Sequence, residues 1–529
     1  MKEEKEEALS SAEMAAIDEN CKFFGLSSAQ LMENAGAGIA NVIKRKFEGK
    51  AKNVKVTIMA GKGNNGGDAF VAARHLQLKR DNFDVRVLLV GNSKDLRTEE
   101  SRRNWQILHA CGYDMEEITD SSELRAREPL LKGSDVIIDA IFGTGVHGKL
   151  REPEATAIDL INEANTAFVV SGDIPSGLDP DTGESEKAVR ANVTVTFHRA
   201  KKGLLKTDAR EHVGELVVAG IGIPEGIENL AGPGDVRLVV RQRKPSSHKG
   251  DNGRVLIVGG GPFSGAPTLA ALGALRAGAD WVTIAAPKNV SSVISSLSPN
   301  LIVHPLSSEI LVEKDVPTVL NLIRAHDVVV IGMGLGAEEE TKRATRRIIE
   351  DEASRRVVVD ADGFYGLHLP LKMGEEVRDK FVIVTPHAGE FSKMGLKRKG
   401  SEKSVKVPPE DLIEERINFV KDFSSANRVT TLMKGPADII SDGFRVKQNK
   451  AGNAGMTVGG TGDVLAGVTG AFFAIVTDEP LKAATAAAFV NGAAGDIAFD
   501  NKGYGLLATD VVENIPEVMK GMLMPTCTR

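Results

Sequence analysis

The sequence predicts an α/β protein of two domains, each with a largely parallel sheet covered by helices on both faces. Short runs of β-branched and other apolar residues, such as 54–60 and 254–261, alternate with helical patterns along the chain. This alternation is typical of βαβ units, and near-continuous apolar strands suit a sheet buried on both sides. Residues 240–253 interrupt the pattern with a polar, basic segment that contains proline and glycine, which indicates a linker or the entry to a second domain.

The individual elements follow from the period of the apolar residues. In the first half, helical spacing or helical patterns are found over 11–24, 28–46, 69–76 and 105–112, and strands are predicted within 54–60, 84–90, 135–143, 168–177, 193–197 and 215–222. In the second half, strands are predicted within 254–261, 281–287, 327–336, 356–363, 381–390 and 430–440, followed by helices over 463–476 and 481–499. The charged insert 397–411 is predicted to be an exposed loop.

Composition excludes several classes of protein. The 529 residues include 72 acidic and 66 basic side chains, and the net charge of −6 argues against a protein that coats nucleic acid. Only three cysteines occur, without a CxxC pair, which excludes a disulfide scaffold and a cysteine-based zinc site. The charged N-terminus does not resemble a signal peptide, and no apolar stretch is long enough to span a membrane. We therefore expect a cytoplasmic protein with no nucleic-acid or membrane partner, and we expect a homo-oligomer.

A glycine-rich loop follows the first predicted strand, over residues 61–68, and contains the spacing GxGxxG. This spacing alone is a weak sign of dinucleotide binding. The complete fingerprint also has an acidic residue at the end of the second strand, where this chain has Val90, Gly91 and Asn92. Asp84 stands at the beginning of that strand instead, which disfavours an ordinary NAD(P) dehydrogenase. Glycines at the start of a helix still allow backbone N–H groups to face an anion.

Two further loops rich in oxygen ligands follow later strands, over residues 139–147 and 171–179. In an open parallel sheet, such loops lie side by side at the carboxyl ends of the strands, where ligands bind. The alternative is that the glycines and prolines only turn the chain and the acidic residues only cap helices. Three loops of this kind in one half favour a ligand site.

The second half contains the glycine run of residues 453–463, which leads into a helical pattern. Backbone N–H groups of such a run can hold an anion, and Asp463 stands where it can take a proton from a hydroxyl group. The alternative is that Asp463 caps the helix. Two other strand ends carry chemistry-bearing residues: His387 with Glu390, and Lys434, a side chain suited to phosphate.

These motifs resemble known families. GKGNNGGDAFVAARHL, DAIFGTG and SGDIPSGLD resemble the YjeF N-terminal domain, the NAD(P)H-hydrate epimerase. HKGDNGRVLIVGG, GMGLG, TPHAGE, MKGPAD and NAGMTVGGTGDVLAG resemble the ribokinase-like ADP-dependent NAD(P)H-hydrate dehydratase. The resemblance covers nearly the whole chain. It implies two three-layer α/β domains, a Rossmann-like YjeF N-terminal fold over residues 1–237 and a ribokinase-like fold over residues 238–529.

The resemblance also implies a function and its residues. The first domain interconverts the R and S hydrates of NADH and NADPH, and the second dehydrates the S form at the expense of ADP, giving AMP and phosphate. In the first domain the implied hydrate-binding residues are Asn64, Asn65, Gly66, Gly67, Asp68, Gly143, Thr144, Gly145, Val146, His147, Gly148, Lys149 and Asp173. Asp173 is the implied acid/base carboxylate, and the implied potassium ligands are Asn65, Asp139 and Ser176.

In the second domain the resemblance implies that the hydrate is bound by Ala266, Gly334, His387 and Asp463, with Asp463 as catalytic base. The implied nucleotide contacts are Lys434, Gly435, Pro436, Ala437, Asp438 and Gly462. We expect Glu390 to support Mg²⁺ indirectly. Many sugar kinases of this superfamily have Asn-x-x-Glu where this chain has His387-x-x-Glu390, and the histidine fits the dehydratase pattern. The preference for ADP over ATP rests on the resemblance alone.

Two alternative functions, a kinase and a binding module, would require fewer of these residues. A small-molecule kinase acting on a vitamin-like alcohol would share Asp463 and its glycine run, but would have no need for the three loops of the first half. A binding module without catalysis would have no need for Asp68, Asp139 and Asp173 together.

Overall fold

The structure is a computed structural model and describes residues 8–49, 53–77, 82–145, 150–240, 242–371, 380–394 and 406–523. The chain divides into two compact units between Ile227 and Glu228. The predicted domain boundary at residues 237 and 238 falls inside a helix, Pro233–Val239, that packs within the second unit against helix Pro480–Lys502. No helix in the described part of the chain has the length and apolar character needed to cross a membrane.

Unit 1 contains a seven-stranded sheet in which every neighbouring pair of strands is parallel. Its strands are β1 (Val54–Ala60), β2 (Phe83–Val90), β3 (Asp114–Ile118), β4 (Val136–Ala140), β5 (Phe168–Gly172), β6 (Val193–Phe197) and β7 (Glu215–Ala219). Their order across the sheet is β3-β2-β1-β4-β5-β6-β7.

Helices connect these strands and cover the sheet. They are α1 (Ser11–Phe23), α2 (Ser28–Lys46), α3 (Asn64–Leu76), α4 (Glu99–Ala110), α5 (Ser121–Arg125), α6 (Glu128–Lys132), α7 (Glu154–Glu163), α8 (Arg210–Val213) and α9 (Glu225–Glu228). The apolar strand residues alternate between two cores: Ile58 packs with α2 and α3 on one face, whereas Met59 packs with α7 on the other. The layered fold therefore follows from the period of two in the strands.

Unit 2 contains a nine-stranded sheet in the order β10-β9-β8-β11-β12-β13-β14-β15-β16. Its strands are β8 (Arg254–Val258), β9 (Trp281–Ala286), β10 (Ile302–Pro305), β11 (Val328–Ile331), β12 (Arg356–Val359), β13 (Phe381–Val384), β14 (Thr430–Met433), β15 (Asp438–Ser441) and β16 (Val446–Asn449). The sheet is parallel up to β14, and β15 and β16 are antiparallel. Within the predicted range 430–440, β14 ends at Met433, directly before Lys434, and a turn at residues 434–437 reverses the chain into β15.

The helices of unit 2 are α10 (Pro233–Val239), α11 (Gly265–Arg276), α12 (Lys288–Leu297), α13 (Val316–Arg324), α14 (Glu339–Glu350), α15 (Ile413–Asn427), α16 (Thr461–Ile475), α17 (Pro480–Lys502) and α18 (Ala508–Leu523). Short 3₁₀ helices span Ser93–Asp95, Lys202–Leu205, Glu313–Asp315, Ala361–Tyr365, Ala388–Met394, Ala454–Thr457 and Gly503–Gly505 across the two units. Residues 397–405 of the predicted charged loop lie outside the described residues.

In each unit the strand order reverses beside the first strand, because β1 lies between β2 and β4 and β8 lies between β9 and β11. At such a switch point the connections leave the sheet in opposite directions, and a crevice opens at the carboxyl ends of the strands. The loops that follow β1 and β4, and those that follow β8 and β11, are therefore the places where each unit can hold a ligand.

Candidate active sites

Unit 1 has a cavity of about 420 Å³ at the carboxyl ends of its strands. The loops after β1, β4 and β5 reach it, and helix α1 contributes a wall through Asp18 and Lys22. A capping box between Ser10 and Glu13 fixes the start of α1, because the two side chains bond each other's backbone N–H groups. The cavity therefore has walls from strand-end loops and from a helix that precedes the first strand.

The structure brings most of the predicted hydrate-binding residues together. Asn64, Asn65, Asp68, Gly143, Thr144, Gly145 and Asp173 all line the cavity. Helix α3 begins at Asn64, earlier than the predicted helix over 69–76, so the first three of these residues occupy its first turns. Backbone N–H groups of a first helical turn lack intrahelical partners and can face an anionic ligand. Residues 146–149 of the predicted loop (Val146, His147, Gly148 and Lys149) lie outside the described residues.

Gly66 and Gly67 belong to the same motif but are absent from the described lining of the cavity. A methyl group on Gly66 would lie 2.0 Å from the carbonyl oxygen of Gly61, and one on Gly67 would lie 2.6 Å from Met32 Cε. These two glycines permit close packing of the loop and of helix α2 on α3. Their predicted contact with the hydrate stays a prediction.

A buried lysine that the motifs do not contain lies beside Asp173. The Lys201 ammonium donates a hydrogen bond of 2.5 Å to Asp173 Oδ1, and its side chain is only 1% exposed. Asp173 itself has a left-handed backbone with φ of +59°, which an aspartate tolerates better than most residues. This conformation and the ion pair fix the carboxylate at the wall of the cavity.

Two other carboxyl groups of the cavity have raised pKa values. Burial, followed by the charge of Asp173, raises the pKa of Asp68 well above its usual range. The same two causes raise the pKa of Asp18 to about 6, although Lys201 and Lys22 act against them. Carboxyls close to one another cannot all remain ionised in a poorly solvated site, so the cavity provides both protonated and ionised carboxyl groups near neutral pH.

The predicted potassium ligands lie directly behind this cavity. Asp139, fully buried at the end of β4, accepts hydrogen bonds from Ser171 and Ser176 side chains at 2.7 and 2.5 Å. Asn65 donates from Nδ2 to the carbonyl oxygens of Phe142 and Gly172. Its Oδ1 atom is buried and has no hydrogen-bond partner within the described part of the chain.

In unit 2, Asp463 lies in the first turn of α16 and is not the residue that caps this helix. The cap is Gly460, in a left-handed conformation with φ of +103°, and its position lacks a side-chain hydrogen bond. Burial, followed by the charge of Asp360, raises the pKa of Asp463 to about 7, although Lys434 acts in the opposite direction. Asp463 is therefore poised to gain or lose a proton near neutral pH.

Lys434 lies at the end of β14, in register with His387 after β13. Its ammonium is 2.8 Å from Asp360 Oδ1 and 3.6 Å from Glu390 Oε2. These two carboxylates raise the pKa of Lys434 against the effect of burial. A methyl group on Gly462 would lie 3.3 Å from Lys434 Nζ, so the lysine adjoins the glycine run at the start of α16.

The remaining predicted residues of unit 2 occupy neighbouring strand ends. Gly334 follows β11 with φ of +69°, and a methyl group on it would lie 3.5 Å from Ala266 Cβ on α11. His387 is 58% exposed, and its backbone N–H donates to Glu390. Helix α11 also packs against α16, where a methyl group on Gly460 would lie 2.5 Å from Leu269 Cδ1.

Hydrogen bonds to Asp438 stabilise the turn that follows Lys434. Asp438 accepts a hydrogen bond from the backbone N–H of Gly435 and another from Asn449 Nδ2, at 3.1 and 3.0 Å. Pro436 and Ala437 complete the turn. Burial raises the pKa of Asp438 to about 6. Its side chain therefore stabilises the turn, and the predicted nucleotide contacts of this segment would come from the backbone of the turn.

Three important residues were missed by the motif analysis: Asp18, Lys201 and Asp360. Asp360 directly follows the apolar strand β12, and the sequence VVVD could have indicated it by the same strand-end argument used for the other loops. Lys201 and Asp18 carry no comparable signal. Their positions depend on how helix α1 and the segment after β6 return to the cavity.

A Rossmann-like sheet with a cavity at its switch point, followed by a second α/β unit with a raised-pKa aspartate at a glycine-rich helix start, defines a two-domain enzyme of the nucleotide-binding type. Residues 28–203 match the family described as YjeF-related protein N-terminus, and residues 255–517 match the NAD(P)H-hydrate dehydratase family.

Relatives that match nearly the whole chain combine the same two domains. The chain is 44% identical over 514 residues to the bifunctional NAD(P)H-hydrate repair enzyme Nnr of Archaeoglobus fulgidus, covering 97% of this chain and 98% of the relative. It is 43% identical over 518 residues to the enzyme of the same name from Pyrobaculum aerophilum, with the same coverage. The chain belongs to the family of bifunctional NAD(P)H-hydrate repair enzymes. The predicted family and the predicted fold of each half are confirmed.

A solved structure of the ADP/ATP-dependent NAD(P)H-hydrate dehydratase from Bacillus subtilis, co-crystallised with ATP and Mg²⁺, is also similar. It is 24% identical, covers 55% of this chain and 98% of its own, and has a TM-score of 0.45.

Proposed function

We propose that this enzyme restores hydrated NADH and NADPH in two steps. Unit 1 interconverts the R and S hydrates, and unit 2 dehydrates the S hydrate at the expense of ADP, with AMP and phosphate as the other products. The observation that carries the proposal is that one chain contains both sites, each at the carboxyl ends of parallel strands in its own sheet. The kinase with a non-catalytic first domain is not favoured, because whole-length relatives share both halves.

The unit 1 cavity has the charges that a dinucleotide requires. Lys22, Lys62 and Arg97 line it and can face the anionic phosphates, as can the N–H groups at the start of α3. Asp173 takes the role of acid/base carboxylate at the hydroxylated ring. An epimerase must break a bond at the hydroxylated carbon and re-form it on the opposite face, and a carboxylate can take up and return the proton that this exchange requires.

In unit 2, Asp463 is the proposed base. It takes the proton of the hydrate hydroxyl while the β-phosphoryl group of ADP moves to that oxygen and AMP leaves. Loss of phosphate, together with a proton from the neighbouring ring carbon, then restores the double bond. The backbone of the glycine run and the Lys434 ammonium stabilise the charge of the transferring group. Gly462 and the turn over residues 434–438 are proposed to hold the nucleotide.

Potassium fits the residues behind the unit 1 cavity. The unpartnered buried oxygen of Asn65 and the Asp139 carboxylate are oxygen donors of the kind that hard cations prefer. Ser176 would complete the side-chain set. A cation held there would favour the ionised form of Asp139, whose pKa burial raises, and would fix the loops after β4 and β5.

Magnesium is proposed to accompany the nucleotide in unit 2. Among the described residues, no group of three or more histidine, cysteine, aspartate or glutamate side chains is arranged to hold a metal ion by itself. Mg²⁺ is commonly held by one or two carboxylates and by the phosphates of the substrate. Glu390, buried and within 3.6 Å of Lys434, is placed to support it indirectly.

The proposal is tested by the recovery of near-ultraviolet nicotinamide absorbance from a mixture of R and S NADPH hydrates, with ADP or ATP, Mg²⁺ and K⁺. We expect full recovery, faster than spontaneous epimerisation, with ADP as the better donor. Recovery of the S fraction alone would contradict the epimerase role. A stable phosphorylated product from a vitamin-like alcohol, without release of NADPH from the hydrates, would support the kinase instead.

A further inference from the structure

Lys201 is the most completely buried ammonium group facing the unit 1 cavity. It lies after β6, and its side chain is 1% exposed. Three groups accept hydrogen bonds from its Nζ atom: Asp173 Oδ1 at 2.5 Å, Thr196 Oγ1 at 3.1 Å and the carbonyl oxygen of Phe197 at 3.0 Å. These acceptors surround the ammonium on its protein side, so that its position is set by the sheet and not by solvent.

Burying an ammonium is costly unless it is paired, and the fold pairs this one with a single carboxylate of the cavity. Thr196 Oγ1 donates a further hydrogen bond of 3.2 Å to the same oxygen, Asp173 Oδ1. Asp173 Oδ2 takes no part in these contacts. It lies 3.8 Å from where a methyl group on Gly143 would be, at the wall of the cavity. One oxygen of the carboxylate is therefore anchored, and the other faces the predicted substrate.

The other charged groups around this carboxylate come from several elements. Asp18 and Lys22 face it from α1, and Asp68 faces it from α3. Lys62, Arg97 and Glu154 line the same cavity, with Lys62 and Glu154 paired at 3.3 Å, and His198 lowers the pKa of Asp18. Among these charged groups, Lys201 supplies the positive charge in direct contact with Asp173.

We infer that Lys201 is the positioning residue of the epimerase site, anchoring one oxygen of the Asp173 carboxylate so that the other oxygen is oriented to accept a proton from the hydrate. Lys201 does not touch the reacting ring, and it acts only through Asp173. The inference rests on the proposed function, because it assigns a role in the R-to-S interconversion.

The test compares Lys201→Met with Lys202→Met in the full-length enzyme. Lys202 is the neighbouring lysine, 48% exposed and paired with Glu13 at 2.9 Å, outside the described lining of the cavity. R-to-S conversion is measured with the R hydrate as substrate. We expect Lys201→Met to lower kcat by about 100-fold with KM changed less than about threefold, because the proton acceptor is impaired and the substrate contacts remain. Lys202→Met should leave both values near wild type.

The pH profile separates positioning from a purely structural role. A neighbouring positive charge favours the basic form of a proton acceptor, so loss of the ammonium should move the rising limb of kcat to higher pH by about one pH unit. Loss of activity through partial unfolding would lower the whole profile without moving this limb. An unmoved limb, or a rise in KM with kcat unchanged, would overturn the inference.

Thr196→Val provides a second variant if Lys201→Met does not fold. Valine has nearly the shape of threonine, and the substitution removes only the hydroxyl that bonds both Lys201 and Asp173. We expect about a tenfold loss of kcat and a smaller shift of the limb in the same direction. Dehydration of pure S hydrate, measured in every variant, should be unchanged. If the wild type itself fails to accelerate R-to-S conversion, the proposed function fails; if only the variants behave as wild type, the inference alone fails.

Discussion

Each unit of this enzyme places a lysine beside an aspartate at the carboxyl ends of parallel strands, but in only one unit is the aspartate of that pair the proposed proton acceptor. In unit 1, Lys201 binds Asp173, which lines the cavity. In unit 2, Lys434 binds Asp360, which is almost completely buried, and the proposed base is Asp463.

The difference shows that a lysine–aspartate pair does not identify the reacting carboxylate by itself. In unit 1 the lysine contacts the proposed acid/base carboxylate directly. In unit 2 Asp463 has a pKa of about 7, because burial and the charge of Asp360 outweigh the effect of Lys434. A base close to neutrality suits proton removal from an alcohol during phosphoryl transfer.

The largest effect is expected at Asp463. Asp463→Asn removes the proton acceptor and should lower the rate of S-hydrate dehydration by about 10³-fold, with ADP binding retained. Absorbance recovery from pure S hydrate measures the rate, and titration calorimetry measures ADP binding. Epimerisation by the same variant serves as an internal control and should be unchanged. Unaltered dehydration would exclude Asp463 as the base.

A somewhat smaller effect is expected at Asp173, on the other reaction. Asp173→Asn should slow R-to-S conversion by about 100-fold and leave the dehydration of S hydrate as in the wild type. Proton NMR or chromatography of the two epimers over time measures the conversion. If conversion remains at the wild-type rate, Asp173 is not the acid/base residue. The lysine-paired aspartate would then not be the proton acceptor in either unit.

The pKa of Asp463 predicts that kcat for dehydration falls about tenfold for each pH unit below pH 7. The base must be ionised, and with a pKa of about 7 its ionised fraction falls roughly tenfold for each unit below that value. The kcat for dehydration at saturating S hydrate and ADP should therefore rise between pH 5 and 7 and level off above about 8. Lys434→Met should move this limb to higher pH, because the ammonium lowers the pKa of Asp463. A limb near pH 4 would contradict the raised pKa.

The smallest effect is expected for the potassium site. Asn65→Ala removes the unpartnered buried oxygen and should raise the K⁺ concentration for half-maximal epimerisation about five- to tenfold, by loss of one oxygen ligand. Titration of K⁺ at constant ionic strength, with choline as the replacement cation, measures it. An identical titration curve for the variant and the wild type would show that Asn65 is not a ligand.

The sequence predicted the strand-end loops well, because each such loop is a local pattern of an apolar run followed by glycine and oxygen-bearing side chains. Asn64, Asp68 and Asp173 lie together for that reason. The roles within a motif were less predictable. Gly66 and Gly67 follow Asn65 directly, yet they serve packing against Gly61 and Met32, which only the tertiary structure reveals.

Long-range contacts set the limit of the sequence analysis. Lys201 follows β6, whereas Asp173 follows the neighbouring strand β5. Asp18 lies on a helix that precedes the first strand of the sheet. No local pattern distinguishes these charged residues from solvent-exposed ones. The strand end at Lys434 was predicted, but the reversal of the chain into the antiparallel strand β15 was not, because an apolar run does not indicate the direction of the strand beside it.

Helix α1 also determines which fragment of the chain would contain the whole unit 1 cavity. The recognised first-domain family match begins at residue 28, but Asp18 and Lys22 of α1 line the cavity, and Ser11 bonds Asp181 within the same unit. A fragment that starts at the family boundary would lose one side of its site while keeping the whole sheet. Such a fragment would also lose Met14, Ile17 and Cys21 from the core, so independent expression of this half should retain α1 and end near Ile227.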